Sequence, residues 1–376
     1  MNCMLCGSVK IEILSNYDSY YYRNGINKCT AIDNICQECG LIFQDINISQ
    51  NDLNAYYSMK DLHNIKDPDY KMLPRLSMLS DYIKPGGRVL EIGAGEGSFI
   101  TEALKLGYQC SGFDPQNNKL SGKLDNTEQR YDCIVMNHVV EHIKDPLAFL
   151  DNLKNNLHPG GFLMIEVPDV HYYPLNSSGI CHEHLYHFSW KTLTHLLILA
   201  GYKIIYSGYE YLSRIAGISF VCQPVFNSKL CPIHSPLKQQ LNDYVINKFS
   251  YSEGFRIRDD AFDSQSDIIR SLNLSSKSNI ALWGANGIAL QLLLQLSKIG
   301  LHPNIFLCDK NQALWGTRWN VDKLNHPITD PSLLLAGDID HVFICAVDWA
   351  PQIQQDLARM GFPSKKIHSF SFHSSK

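Results

Sequence analysis

The sequence predicts an α/β protein: a doubly wound parallel sheet, preceded by a small four-cysteine module and followed by a second, smaller α/β unit. Three observations carry that expectation. From Arg88 onward, short apolar runs alternate with helix-compatible stretches, the pattern of parallel strands joined by crossover helices. The first run, Val89-Leu90-Glu91-Ile92, breaks directly into Gly93-Ala94-Gly95-Glu96-Gly97. Ahead of it stand two Cys-x-x-Cys-Gly knuckles, Cys3/Cys6 and Cys36/Cys39.

The elements follow in order. A helix is expected over 69–82, closed by Pro85-Gly86-Gly87. Strands are expected at 89–92, 109–113, 133–136 and 161–167, with a helix over 98–106 after the glycines. The short interval between Asp114 and Tyr131 has no room for both a further strand and a full helix, so that side of the sheet is expected to be trimmed. Two more strands are expected at 202–206 and 217–223, after which 224–236 breaks the pattern. Helical sequence over 237–274 leads to a strand at 279–283, the glycine turn Gly284-Ala285-Asn286-Gly287, and strands near 305–309, 341–346 and 366–370. The domains are therefore read as 1–46, a cysteine module; 47–230, the sheet with a helical lead-in; 231–275, a helical linker; and 276–376, a second Rossmann-like unit.

Composition narrows the function classes. With 33 basic and 37 acidic residues in 376, the chain has no global positive field to hold a polyanion, which argues against nucleic acid. Its apolar runs are too short for a membrane span, and the amino terminus lacks the basic-then-apolar pattern of a secretion signal. A cytoplasmic location is expected.

The glycine loop is the main functional signal. Glycines let backbone turn tightly and approach a ligand without a Cβ in the way, and after a strand they mark a nucleotide-type site. The charges choose the nucleotide: Glu91 and Glu96 would repel a pyrophosphate, whereas S-adenosylmethionine brings a sulfonium and an ammonium. Asp114, ending the strand Gln109-Cys110-Ser111-Gly112-Phe113, is the candidate for the ribose hydroxyls. Glu91, Gly93, Ala94, Gly95, Gly97, Asp114 and Pro115 form the candidate cofactor set.

Of the 12 cysteines, Cys3, Cys6, Cys29, Cys36 and Cys39 cluster early and the rest scatter through apolar stretches, as in a reducing compartment. Two residues between cysteines let one turn aim both sulfurs at one ion, so Cys3, Cys6, Cys36 and Cys39 are read as a closed structural zinc site. Cys29 has no partner at that spacing. Near the carboxyl terminus, Gly284 and Gly287 give only a sparse glycine pattern and Asp309 a strand-end acid, so that unit is read as a packing or substrate-cap domain rather than a second nucleotide site.

Taken with Gly112-Phe113-Asp114-Pro115, Asn137-His138-Val139-Val140-Glu141-His142, His158-Pro159-Gly160-Gly161 and His182-Glu183-His184-Leu185-Tyr186-His187-Phe188-Ser189, the chain resembles class I S-adenosylmethionine-dependent methyltransferases with an amino-terminal zinc module and a carboxyl-terminal Rossmann-like domain, the architecture of sugar C-methyltransferases. The resemblance implies a class I methyltransferase core and methyl transfer to a small-molecule acceptor, a nucleotide-linked keto-deoxysugar, with O- or N-methylation of a natural-product or surface-glycan precursor as the alternative. It implies His184 as the base that removes a proton beside the ketone, Glu183 as its neighbour, and Asn137 and His138 along the cleft. Tyr56 and Tyr57 match the family's tyrosine-rich lead-in, which brings Tyr57 into the catalytic set. This chain departs from the family at His187, where a tyrosine is usual. Glu141 and His142 are read as capping the next helix, and His182, Glu183, His184 and His187 lack partner spacing for a catalytic metal. Tyr172, Tyr173, Tyr209 and Tyr211 are aromatic candidates for stacking on substrate. A binding module built on an inactive methyltransferase fold and a nicotinamide oxidoreductase are the rival classes.

Overall fold

The computed structural model describes residues 2–22, 26–46, 48, 69–95, 97–114, 130–209, 217–226, 243–285, 287–310, 312–316, 318–321, 324–335, 338–346 and 349–369. Tyr56, Tyr57, Glu96, Pro115 and Tyr211 lie outside the described residues. Those described fall into two compact units, one taking 2–17, 30–46 and 69–255, the other 18–22, 26–29, 48 and 256–369.

Strands β1 (Ile11–Tyr22), β2 (Ile26–Cys36) and β3 (Ile42–Ile46) come first, then helix α1 (Asp69–Tyr82). β4 (Arg88–Ile92), α2 (Ser98–Lys105), β5 (Gln109–Phe113) and β6 (Tyr131–Asn137) follow. Next are α3 (Pro146–Leu153), β7 (Leu157–Pro168), β8 (Tyr186–His187), α4 (Trp190–Leu199), β9 (Tyr202–Gly208) and β10 (Gly217–Pro224). Among the described residues the main sheet runs β5-β4-β6-β7-β10-β9. β5, β4, β6 and β7 are parallel, and β10 is antiparallel to both β7 and β9.

Alternation along each parallel strand divides the sheet's two faces. Leu90, Ile92, Ile134, Met136, Leu163 and Ile165 join one core, while Val89, Cys133, Val135 and Met164 join another with Met72, Leu76, Met78 and Leu79 of α1. Covered on both sides, the inner stretches of β4, β6 and β7 are largely apolar, as central parallel strands are. Two of their polar side chains, Glu91 and Glu166, are buried.

The cysteine segment shares the first of these cores. Cys3, Leu5, Cys36, Cys39, Leu41 and Phe43 cluster with Leu90, Ile134 and Phe188. Sequence reading set it apart as a module because its knuckles are local, but Leu41 and Phe43 bury themselves against the larger sheet. Its own sheet, β1-β2-β3-β8, takes its fourth strand from residues 186–187, with Ile42 opposite His187 and Phe43 opposite Tyr186.

Helix α5 (Tyr244–Ser271) runs through part of the span expected as linker; its residues through Phe255 belong to the first unit. Asn247, fully buried, donates through Nδ2 to the Gly40 carbonyl at 2.8 Å and accepts through Oδ1 from His171 Nε2 at 2.7 Å. Gly254 lies so near Tyr173 that a Cβ would meet its Cβ at 2.5 Å.

The second unit contains β11 (Asn279–Trp283), α6 (Gly287–Lys298), β12 (Asn304–Cys308), β13 (Arg318–Val321), β14 (Leu324–Thr329), β15 (His341–Ile344), α7 (Ala350–Arg359) and β16 (Ile367–Ser369). Its sheet runs β13-β14-β12-β11-β15-β16, parallel except for the β13–β14 hairpin. The β1–β3 sheet, β8 and this hairpin were not anticipated from sequence. No described helix is long and apolar enough to cross a membrane.

Gly40 tests the seating of α5. Its φ is +76°, and an added Cβ would lie 2.8 Å from the Tyr244 backbone nitrogen. Gly40→Ala should cost about 2 kcal/mol or more in urea denaturation, since backbone must move as well as tolerate a left-handed alanine; a change within a few tenths would contradict this packing.

Candidate functional site

β4 delivers its chain into three left-handed glycines, Gly93, Gly95 and Gly97, with φ of 72°, 50° and 76°. Each conformation is one that side chains with a Cβ rarely adopt. At Gly93 the space is also closed: a Cβ would meet Val139 Cγ2 at 2.5 Å, whereas at Gly95 nothing lies within 4 Å. The loop is thus packed on one side and open on the other. Ala94 is buried and accepts from Gly97 N at 2.7 Å, and Gly97 starts α2.

Asp114, at the end of β5, accepts from the Gly95 backbone nitrogen at 3.0 Å through Oδ2. The glycine loop and the strand-end acid are therefore one piece of structure. Asn137 ends β6, and both polar atoms of its amide are buried with no hydrogen-bond partner among the described residues. An amide so placed is costly unless a ligand completes it. An open glycine loop, an acid beside it and an incomplete amide suit a nucleoside cofactor carrying ribose hydroxyls and an amino-acid tail.

Below the loop lies a chain of buried charge. Glu166 of β7 is fully buried, with Oε2 3.5 Å from Arg75 Nε and Oε1 3.0 Å from His138 Nε2. His138 has φ of 54°, an uncommon conformation for a residue with a Cβ, and its amide donates to the Glu166 carbonyl at 2.8 Å. Its Nδ1 lies 3.4 Å from Oε1 of Glu141, which is 1% exposed. Burial opposes charge on His138, but Glu141 and Glu166 outweigh it and raise its pKa. Burial likewise opposes charge on Glu141, yet His138, His142 and His184 hold its carboxyl down to about 2.

Glu141 and His142 do not cap the next helix; Asp145 does, accepting from Ala148 N at 3.0 Å. They lie in a short 3-10 turn, Val140–His142, that presents them to His184. His142 Nδ1 meets the Glu183 carbonyl at 2.8 Å, His184 Nδ1 meets the Gly179 carbonyl at 2.7 Å, and the two rings meet edge-on at 4.8 Å. A carbonyl can only accept, so each Nδ1 carries the proton and each Nε2 a lone pair. Burial is the main reason His142 has a lowered pKa. Glu183 enters this geometry through its backbone.

His187, the position that departs from the resembled family, is a core residue. It is 1% exposed, with Nδ1 2.8 Å from the Tyr173 hydroxyl and Nε2 3.4 Å from Asp33 Oδ1. Asp33 also accepts from Gln44, Ser15 and Tyr251. Tyr173 is packed in the same cluster, while Tyr172 meets Tyr209 edge-on at 5.5 Å.

The four predicted cysteines come together. Cys3 and Cys39 sulfurs are 3.5 Å apart, as are those of Cys6 and Cys36, and all four lie within 4.8 Å. Tetrahedral zinc with Zn–S bonds of about 2.3 Å needs sulfurs about 3.8 Å apart, so this set fits such an ion. Cys29 is not part of it. In the second unit the loop geometry repeats: Ala285 N donates to Asp309 Oδ2 at 2.8 Å, as Gly95 does to Asp114.

Residues 63–207 match the family model described as a methyltransferase domain. The chain is 36% identical over 101 residues to a tRNA U34 carboxymethyltransferase of Dichelobacter nodosus, covering 22% of this chain and 32% of that protein. It is 30% identical over 99 residues to a ubiquinone biosynthesis O-methyltransferase of Cereibacter sphaeroides, covering 21% of this chain and 40% of the relative. A SAM dependent methyltransferase from Aquifex aeolicus is similar in structure at 18% identity and a TM-score of 0.35, covering 43% of this chain and 95% of that one. The chain thus spans well under half the length of these curated relatives. It carries a methyltransferase domain, and its parallel sheet has the class I, Rossmann-like methyltransferase fold.

The charge chain makes stability depend on pH. With its folded pKa raised above 6.5, His138 contributes stability that is complete below that value and is lost as pH rises through the folded one. Glu141 acts oppositely, contributing above 4.5 and losing it as pH falls toward about 2. His138→Gln should therefore be less stable than wild type by urea titration near pH 6, with the gap narrowing by about pH 9. A gap constant across that range would contradict the coupling.

Proposed function

We propose that the chain is an S-adenosylmethionine-dependent methyltransferase acting on a small molecule, and that the acceptor is a nucleotide-linked keto-deoxysugar methylated at the carbon beside its ketone. The Gly95–Asp114 hydrogen bond, within a segment matched by a methyltransferase-domain model, carries the methyltransferase reading. The cofactor supplies an electrophilic methyl group on a sulfonium. Gly93, Gly95 and Gly97 shape the loop around its amino-acid end, Asp114 holds the ribose, and Asn137 completes its amide on the bound cofactor.

The acceptor assignment is supported by His184. With Nδ1 donating to the Gly179 carbonyl, its Nε2 can take a proton from the carbon beside the ketone. The electron pair left on that carbon attacks the methyl carbon in line, and the carbon–sulfur bond breaks toward sulfur. The reading also rests on the resemblance in sequence to sugar C-methyltransferases, carried by the two cysteine knuckles and the His182 to Ser189 motif. O-methylation of a small molecule is the second reading, favoured by the relative named for ubiquinone biosynthesis.

His184→Gln should retain affinity for S-adenosylhomocysteine in calorimetry while turnover falls about a hundredfold or more, and wild type should wash deuterium from solvent into the attacked carbon. Asp114→Ala should lose about tenfold or more in that affinity. Unchanged turnover in His184→Gln would remove its role as base.

We also propose that the four cysteines hold structural zinc. Native mass spectrometry should find one zinc at the thiolates, absent in Cys36→Ser along with a lowered melting temperature; a metal-free protein of unchanged stability would sink the assignment.

A further inference from the structure

We propose that Glu141, His142 and His184 form a second, separate metal site, for a divalent transition-metal ion held by two imidazoles and one carboxylate. Their ligand atoms all lie within 4.8 Å of one another, and Glu141 Oε1 is 3.9 Å from His142 Nε2. Bonds of about 2.0–2.1 Å need ligand atoms roughly 3.4 Å apart, so the side chains draw together by about 1 Å.

Two further observations point to a cation. Each imidazole is already oriented as metal-binding histidines are, its Nδ1 proton given to a backbone carbonyl, Glu183 for His142 and Gly179 for His184. That arrangement fixes the tautomer and leaves Nε2 as the ligand atom. Glu141 is 1% exposed and neither carboxylate oxygen has a hydrogen bond among the described residues; its ion-pair contacts are to His138 at 3.4 Å and His142 at 3.9 Å. A carboxylate buried in this way is stabilised by a cation beside it. Two nitrogens and one oxygen suit zinc, cobalt, nickel or iron(II), and not the thiolate-preferring chemistry of the cysteine cluster.

The site shares His184 with the proposed proton acceptor. One lone pair on Nε2 cannot serve both, so a bound ion silences the base. The cation is thus an inhibitory ligand of this centre, displaced before the acceptor can lose its proton.

The test uses full-length protein carrying zinc at the cysteines, without acceptor or methyl donor, so that its outcome is independent of methyl transfer. Titrated with Co2+, wild type should bind one further equivalent and develop weak d–d bands without sulfur-to-cobalt charge transfer. His142→Gln and His184→Gln should each weaken that binding at least tenfold while retaining S-adenosylhomocysteine affinity. If either variant fails to fold, Cu2+ on wild type reads the same site: its electron paramagnetic resonance should show splitting from two nitrogens. No further equivalent in wild type under a hundredfold excess of Co2+, retention of that equivalent in a folded variant, or a Cu2+ spectrum lacking nitrogen splitting would overturn the proposal.

Discussion

One backbone pairing governs the candidate site: the two-residue strand β8 is hydrogen-bonded to β3, so the segment holding His184 is an edge of the cysteine segment's sheet. So short a strand does not hold itself. It is kept by Gln44, whose amide donates to both Asp33 and the Cys181 carbonyl, by the Gln44 nitrogen on the Leu185 carbonyl, and by His187 against Asp33. A segment as small as the first 46 residues has little core of its own. It gains order from the clustered thiols at one end and from burying Leu41 and Phe43 at the other. Cysteine cluster, sheet edge and histidine loop are therefore mechanically continuous.

The second organising element is charge taken out of water. Arg75, Glu166, His138 and Glu141 form a line in which each group is tolerated because the next one offsets it. Removing one member of such a buried set typically costs about 3–5 kcal/mol, far more than a surface pair contributes. The left-handed His138, itself a strain of about 1–3 kcal/mol, sits at the turn leaving β6 and is held by Glu166 through both backbone and ring. The same line orients the end of β6, where Asn137 is placed, and reaches the turn that carries His142.

The parallel strands were legible because full burial writes itself as apolar runs, and the loop because Gly93, Gly95 and Gly97 each need a left-handed backbone. The cysteines were legible because both knuckles are local turns. What was not legible is whatever depends on contacts distant in sequence. His142 meets the backbone of Glu183 across 41 positions, and nothing in Glu141-His142 distinguishes a buried pair facing a histidine from a helix cap. The available hint was Asp145-Pro146, a better cap than either. His187 reads only as a departure from the resembled family until Asp33 and Tyr173 are found on its two nitrogens. β8 was invisible because two residues carry no periodicity.

The register of β8 has a further consequence. Tyr186 stacks on Phe188 and reaches the Lys144 carbonyl, while His187 between them enters the core. Neighbouring strand positions face opposite ways, so one residue gained or lost between His184 and Phe188 would send His187 into the packing place of Tyr186 and Phe188, and Phe188, itself 1% exposed, into the polar pocket of Asp33. The length of that stretch is therefore quantised, whatever single side chains along it change.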